Sequence, residues 1–436
     1  MAEEETKLQR EFETWKINTP LLYDLVVCHA TEFPSLTVQW SPAPPQPYLD
    51  DWSFSVHRLL LGTYTDDVAI KNFLLVADAV LPTESVSQDR DCEITTLPMV
   101  EIIHRIPMDG EVNIALYMPQ NPEIVAVKTI YPQVYLINIS NLGEMGNTES
   151  FDHLTKSMLG GHDEEGYALS WSTLRPGYLL SAARDNNICI WDVSSVSKPE
   201  VLYAKNIYQG HRKVTKDASW HQKNENLFGS VGDDGLLLIW DLRTSIPEGY
   251  GKSENEVEVD QLMILIFLFK PLSMITFLII CFYFSFEPKR FFLSQLNSLS
   301  FNPYNDWIVA TGAVDKTLPL FDMRKLPLPV HALRSHVGDV FKVEWDPNHA
   351  SILASASADR RIMIWDLNRI GKEQPKYDTT SDEPDELLFT HAGHISMVYD
   401  MAWNTHKPWV IASVGEDSCI QIWQIAENIY HDNDFA

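Results

Sequence analysis

The chain is poor in cysteine: five in 436 residues (Cys28, Cys92, Cys189, Cys281 and Cys419), scattered with no paired spacing. That excludes a disulfide framework and a structural zinc site, and it fits a reducing compartment. Cations are scarce too, 33 Lys and Arg against 60 Asp and Glu, for a net charge of −27. So negative a surface disfavours direct wrapping of nucleic acid, where affinity rests on neutralising phosphates, and favours basic partners. There is no Gly-rich phosphate loop, no metal-ligand spacing and no nucleophile set apart from a repeated pattern, so neither an enzyme nor a cofactor is expected. The opening MAEEETKLQR is acidic and polar, unlike a secretory leader. What is plentiful is Trp (13), Pro (25) and apolar residues (45%), which suits a β-rich, turn-rich body with a sizeable core.

A repeat organises that body. Taking Trp191, Trp240, Trp365 and Trp423 as origins, a His lies 29 residues earlier each time (His162, His211, His336, His394). A second Trp lies 20 before (Trp171, Trp220, Trp345, Trp403), a Ser 10 before (Ser181, Ser230, Ser355, Ser413) and an Asp 6 before (Asp185, Asp234, Asp359, Asp417). A fifth copy has Phe301 and Phe321 at the Trp positions and keeps Thr311 and Asp315. Each unit holds short β-branched or aromatic runs between Gly, Asp and Asn turns, the signature of a small antiparallel sheet. His from a loop, Asp at a turn, and Ser and Trp on strands can join in one buried hydrogen-bond chain, so these His–Asp pairs read as structural rather than catalytic. This is the WD40 repeat, and its architecture is the β-propeller.

Weaker copies at 104–139 and 35–81 raise the number of blades to seven. The expected fold is all-β: a seven-bladed WD40 β-propeller with an N-terminal α-helix packed on its side. Segment 1–34 precedes a ring over 35–425, with blades near 35–81, 104–139, 161–193, 210–242, 296–323, 335–367 and 392–425, and a tail at 426–436. The first strands and the last blade are expected to close the circle, since an open ring would expose an edge.

Three segments fall outside the repeat. In 5–30, Leu8, Phe12 and Trp15 recur at helical spacing, which predicts an amphipathic helix on the propeller's flank. The interblade loop 371–391 carries Asp382, Glu383, Asp385 and Glu386 and runs directly into Leu387, Leu388 and Phe389, a pattern able to hold a basic amphipathic helix. The third, LMILIFLFKPLSMITFLIICFYFSF (262–286), has the composition of a membrane span. An interblade loop must begin and end on one side of a membrane, however. Removing 261–295 also shortens the Trp240–Phe301 distance from 61 residues to 26, close to the 29 between Trp191 and Trp220. The tract is therefore read as an anomalous insertion, the product of a retained intron or a faulty gene model, and no membrane association is expected.

WKINTPLLYDLVVCHATEFPSLTVQW (15–40), NENLFGSVGDD (224–234), SFNPYNDWIVATGAVDKT (300–317), VEWDPNHASILASASADRRIMIWDLNRIGKEQ (343–374) and PWVIASVGEDSCIQIWQIAENIY (408–430) closely resemble one family, the retinoblastoma-binding, MSI-type histone-binding WD-repeat proteins. The resemblance implies a nuclear, non-enzymatic histone-binding scaffold or chaperone, shared among the larger subunits of chromatin assembly, histone deacetylase and Polycomb-type complexes. It also implies two sites. Histone H4's first helix would lie between Leu8, Phe12 and Trp15 on one side and Leu387, Leu388 and Phe389 on the other, with Asp382, Glu383, Asp385 and Glu386 meeting its cations. The family's loop usually carries adjacent prolines; here Pro384 is followed by Asp385.

The H3 tail or partner peptides would lie on the channel rim. Positions six and four before each early aromatic should open the innermost strand and point at that rim. They include Glu111 and Asn113, Glu165 and Tyr167, Lys216, Asn297, Asp339 and Phe341, and Tyr399, a set suited to an Arg or Lys side chain. Lys216 departs from the family, which usually has an acid there. A competing reading is a substrate receptor for a cullin-type ubiquitin ligase, because Trp240-Asp241-Leu242-Arg243 matches the WDxR pattern that docks some WD proteins on the ligase adaptor. A bare WDxR is common in propellers, where the Arg can also pair locally, and such docking need not exclude histone binding.

Overall fold

The computed structural model describes residues 2–48, 51–65, 67, 70–83, 99–140, 142, 156–194, 201–244, 294–371 and 383–430. An N-terminal helix, α1 (Ala2–Leu22), leads into seven sheets arranged as the blades of a propeller, antiparallel except where Val201–Tyr203 adds in parallel to the edge of blade 2. Blade 6, for example, runs Val340–Trp345, Ile352–Ser357, Ile362–Asp366 and Leu387–His391 from the axis outward.

The reason these runs form a ring lies in their burial. Ile352–Ser357, Thr317–Asp322 and Val410–Gly415 are buried at every position, so both faces of each sheet must be covered. One apolar cluster fills each junction between neighbouring blades. Leu60, Leu74 and Ile106 of blade 1 meet Ala115 and Val127 of blade 2; Val38, Trp40 and Leu59 of blade 1 meet Val410 and Ile422 of blade 7.

The seam is closed by the N-terminal strand Tyr23–Ala30, which pairs antiparallel with Cys419–Ile425 as the outermost strand of blade 7. The segment before the ring therefore ends at Leu22 rather than at residue 34. The repeat and the blade are also out of phase: the outer strands of blades 1, 2, 3, 5 and 6 come from the chain just ahead of the next blade's inner strand. Leu387–His391 is accordingly not interblade loop but the outer strand of blade 6, and Val100–Met108 is the outer strand of blade 1.

The early Trp of each repeat has a specific task. Its indole Nε1 donates to a backbone carbonyl of the preceding blade's inner strand: Trp40 to Ala402 at 3.1 Å, Trp171 to Leu116 at 3.2 Å, Trp220 to Ser170 at 3.1 Å, Trp345 to Ser300 at 3.0 Å and Trp403 to Glu344 at 3.2 Å. A large apolar side chain with one donor suits a position that is buried between blades yet must satisfy a strand carbonyl.

The His–Ser–Asp–Trp chains form as the offsets require. In blade 6, His336 lies 2.8 Å from both Asp359 and Ser355, and Trp365 donates to Ser355 at 2.9 Å. Blades 4 and 7 repeat this. Blade 3 departs from it: Trp191 donates to Gly160 O instead, and Lys128 Nζ, from blade 2, takes its place on Ser181 at 2.7 Å and on Ala182 O at 2.8 Å. Lys128 is 0% exposed, and burial pushes its ammonium down to about 7. In blade 5, Thr311 at the Ser position donates instead to Pro319 O at 3.3 Å. Most of the anomalous tract, 261–293, lies outside the described residues; Gln295, at its end, already belongs to blade 5, where its carbonyl accepts from Val314 N at 3.0 Å.

Candidate protein-interaction sites

The flank of blades 6 and 7 is built around α1. Trp15 is only 8% exposed, and its Nε1 donates to Tyr23 Oη at 2.9 Å. Tyr23 then donates to His391 Nδ1 at 2.9 Å, His391 Nε2 donates to Gln421 Oε1 at 3.0 Å, and Gln421 Nε2 donates to Gly393 O at 2.8 Å. The relay requires neutral His391, and burial, with His394 nearby, holds its imidazole well below the usual range. His391 stacks on Trp423 at 4.3 Å between ring centroids. Gly393 permits this approach: a Cβ there would stand 2.7 Å from the Trp15 indole. One chain of hydrogen bonds thus clamps the helix, the closing strand and blades 6 and 7 together.

That clamp revises the groove expected from sequence. Trp15 and Phe389, both 8% exposed, belong to the core, with Phe389 edge-on to Tyr23 at 5.3 Å. Phe12 and Leu388 pack half-buried on the same cluster. A register shift between Phe389 and Leu387 leaves Leu388 bulged, so Leu388 and Phe389 serve the α1 side while Leu387 packs toward blade 5. Leu8 lines a cleft with Glu11, Phe12, Arg360, Arg361 and Ile395. Glu386 is drawn to blade 5 by His331, 3.1 Å away, rather than toward the helix. Glu383 is exposed, Asp385 half-buried, and Asp382 lies outside the described residues. The apolar residues that α1 does present to solvent are Ile17 (75%) and Leu21 (73%), one turn apart and missed by the spacing argument, which sought only the inward stripe.

The channel rim follows a common rule. In five blades the inner strand shifts register after its first residue, skipping Asn113, Lys216, Asn297, Phe341 and Tyr399. A bulge leaves the extra residue out of the ladder and re-aims its side chain. The residues two before these bulges hold the loops through their carbonyls: Glu111 O accepts from Ile130 N at 3.2 Å and Asp339 O from Ala358 N at 2.9 Å. Glu165 O accepts from Arg184 N at 2.8 Å in the same manner, two residues before Tyr167.

The two asparagines are supports rather than contacts. Asn113, 4% exposed, donates to Thr129 O and Gly166 O, and Asn297 donates to Val340 O at 3.1 Å. Tyr167 is 39% exposed, and Phe341, Tyr399 and Tyr64 form an aromatic arc with centroids 6.0 and 6.4 Å apart. Tyr64 went unnoticed because blade 1 lacks the repeat's offsets. Glu165 pairs with Arg184 at 2.7 Å, and Lys216 lies 3.8 Å from Asp233.

In the WDxR segment, Arg243 forks onto its own Asp241, with the shortest contact 2.6 Å, and Arg324 does the same with Asp322 at 2.7 Å. Trp240 is buried and donates to Ser230 at 2.8 Å. The two segments form the same local Asp–Arg cap.

Comparison with known proteins agrees with this geometry. The chain is 43% identical to the WD-40 repeat-containing protein MSI3 of Arabidopsis thaliana over 445 aligned residues, covering 100% of this chain and 95% of that protein. A family model for the histone-binding protein RBBP4, or the corresponding component of the CAF1 complex, matches residues 10–83. The chain belongs to the RBBP4/MSI family of WD40-repeat proteins. The matched 10–83 covers most of α1, the closing strand and the inner strands of blade 1, the parts that the repeat alone does not account for. The WD-repeat model matches 287–322, 328–366 and 385–424 in this family member.

Proposed function

We propose that this RBBP4/MSI-family chain is a non-enzymatic, histone-binding scaffold, acting in the nucleus within chromatin assembly, histone deacetylase or Polycomb-type complexes. The H4 helix would dock on the flank, its apolar side on Ile17 and Leu21 of α1 and half-buried Leu388, its cations toward Glu383 and Asp385. The H3 tail, or a peptide from a larger subunit, would cross the channel rim at Glu111, Glu165, Tyr167, Asp339, Phe341 and Tyr399. The observation that carries the reading is α1, which Trp15 clamps to the propeller while two large aliphatic residues, Ile17 and Leu21, face water. Exposed apolar residues held rigidly at an acidic edge suit a cationic amphipathic helix. Trp15 and Phe389 act as the foundation of that surface.

Isothermal titration of the full chain with an H4 first-helix peptide tests it. Ile17→Asp with Leu21→Asp should weaken binding by at least about tenfold, the equivalent of one buried aliphatic contact, while thermal stability stays unchanged. Affinity should also fall as salt rises, since exposed acids are screened over about 8–10 Å. Unaltered affinity in the double variant would refute the flank assignment.

A further inference from the structure

Lys128, on the blade 2 strand Asn121–Thr129, is 0% exposed and carries its head group into blade 3. Both acceptors it meets there are uncharged: Ser181 Oγ at 2.7 Å and Ala182 O at 2.8 Å. The carboxylates that act on it through space are engaged elsewhere, Asp185 with His162 at 3.1 Å and Glu165 with Arg184 at 2.7 Å. Cys189 also faces it, as a thiol that burial pushes up to about 12 and so keeps neutral. An ammonium shielded from solvent with no contacting anion is costly beside the neutral amine, which is why burial brings Lys128 down to about 7. The amine keeps both hydrogen bonds. It donates to Ser181, whose hydroxyl donates to His162 Nε2 at 3.1 Å, while His162 Nδ1 donates to Asp185.

The same head group is the floor of the blade 3 rim. Gly166 lies over it so closely that a Cβ there would stand 2.8 Å from Lys128 Nζ and 2.4 Å from Ala182 O. Asn113 of blade 2 donates to Gly166 O at 3.1 Å, and Glu165 O accepts from Arg184 N at 2.8 Å, so the turn is fixed where it stands. The residues on either side of Gly166 are Glu165 and Tyr167, the latter 39% exposed. A cationic side chain received by these two comes to rest above Lys128 with little more than the Gly166 backbone between them. Protonated Lys128 repels that side chain through a layer of low dielectric; the neutral amine does not.

We propose that Lys128 is a proton-linked positioning residue for the rim: when a cationic side chain settles on Glu165 and Tyr167, Lys128 gives up its proton to solvent. The proposal rests on the rim being a site for basic peptides and adds that pH sets affinity there. Linkage is reciprocal, so the proton on Lys128 weakens the peptide as much as the peptide weakens the proton. Below neutral pH Lys128 is charged and binding is weakest; above it the amine is neutral and affinity reaches its plateau. Burial, with Lys128 nearby, holds His162 below its usual range, so Lys128 is the member of this cluster that changes charge near neutrality.

The test is fluorescence polarisation of the full chain with a capped Arg peptide lacking His and Lys, at low salt and at pH 6 and pH 8. Affinity should be about fivefold higher at pH 8, the order expected for two like charges separated by a layer of protein. Titration calorimetry at pH 7 in two buffers of different ionisation heat should show part of a proton released per peptide bound, a reading that needs no variant. Lys128→Met keeps the length and removes the charge, so it should bind at pH 6 as tightly as the unaltered chain does at pH 8, and release no proton. Equal affinities at the two pH values without proton release would overturn the inference and leave the rim a peptide site. So would a pH dependence that survives in Lys128→Met, or binding weakened in that variant at every pH, the mark of a purely structural lysine. If the Arg peptide binds at neither pH, the rim reading fails as well.

Discussion

The flank and the rim use their side chains in opposite ways. On the flank, the residues that give α1 its pattern are the ones that fix it to the propeller, and what faces a partner is the leftover edge, Ile17 and Leu21. On the rim, bulges remove Phe341, Tyr399 and Lys216 from the ladder while the strand beneath is held by other atoms. A substitution in the inward stripe of the flank therefore acts on folding and, through it, on binding, whereas one at Ile17 or Leu21, or at an exposed rim residue, acts on binding alone. The difference shows that an apolar stripe locates an interface without saying which side of it is free.

The comparison would break first at Phe389. Phe389→Asp places an unpaired carboxylate in a core lined by Tyr23 and Trp423. It should destabilise the chain by at least about 3–5 kcal/mol, and Trp15→Ala by about 3–5 kcal/mol, since the indole leaves a cavity and orphans Tyr23. Denaturant titration followed by Trp fluorescence measures both. A folded Phe389→Asp variant that lost only H4 binding would show that the residue is a surface contact, contrary to its burial.

Acid provides a smaller and more selective probe. His57 is buried, accepts from Asn404 Nδ2 at its Nδ1 and lies 2.9 Å from Ser55; burial, with Lys407 and His406 nearby, holds its pKa down to about 4 against 6.5 in an unfolded chain. Burial lowers His391 in the same direction. The unfolded chain takes up these protons below pH 6.5 and the folded one does not, so stability is complete above pH 6.5 and declines as pH falls toward 4. His57 alone accounts for up to about 3 kcal/mol of that decline. Unfolding midpoints measured at pH 7.5 and pH 5 should differ accordingly, and a flat profile would mean that neither imidazole is kept neutral by the fold.

These particulars also indicate what could be read without coordinates. The seven blades were legible, five of them by offset, and the polar chains of blades 4, 6 and 7 close as the offsets require because each confines its partners to one repeat. The positions four before the aromatic were legible for the same reason, and in five blades they coincide with bulges. The relay from Trp15 through Tyr23 to His391 was not, because Tyr23 and His391 are 368 residues apart in the chain and meet only when the ring closes. Lys128 was hidden likewise: it completes blade 3's chain from blade 2, which carries no repeat offsets of its own. Asn113 and Asn297 stood at rim positions but turn their amides onto neighbouring backbone, a choice that spacing does not encode.

The smallest expected effect on stability comes from the rim, and it sharpens the contrast most. Glu111 stands at the mouth of blade 2, where its backbone carbonyl, not its carboxylate, accepts from Ile130 N. Glu111→Gln keeps that carbonyl and the side-chain length while removing the charge, so unfolding free energy should move by no more than about 0.5 kcal/mol. Binding of a basic peptide to the rim should nonetheless weaken several-fold and lose part of its salt dependence, because one of the acids meeting the peptide's cations is gone. H4-helix affinity on the flank should stay at its original value in the same protein. If Glu111→Gln instead lowered stability as Trp15→Ala does, the rim would have to be counted with the core, and the division of labour between the two surfaces would fail.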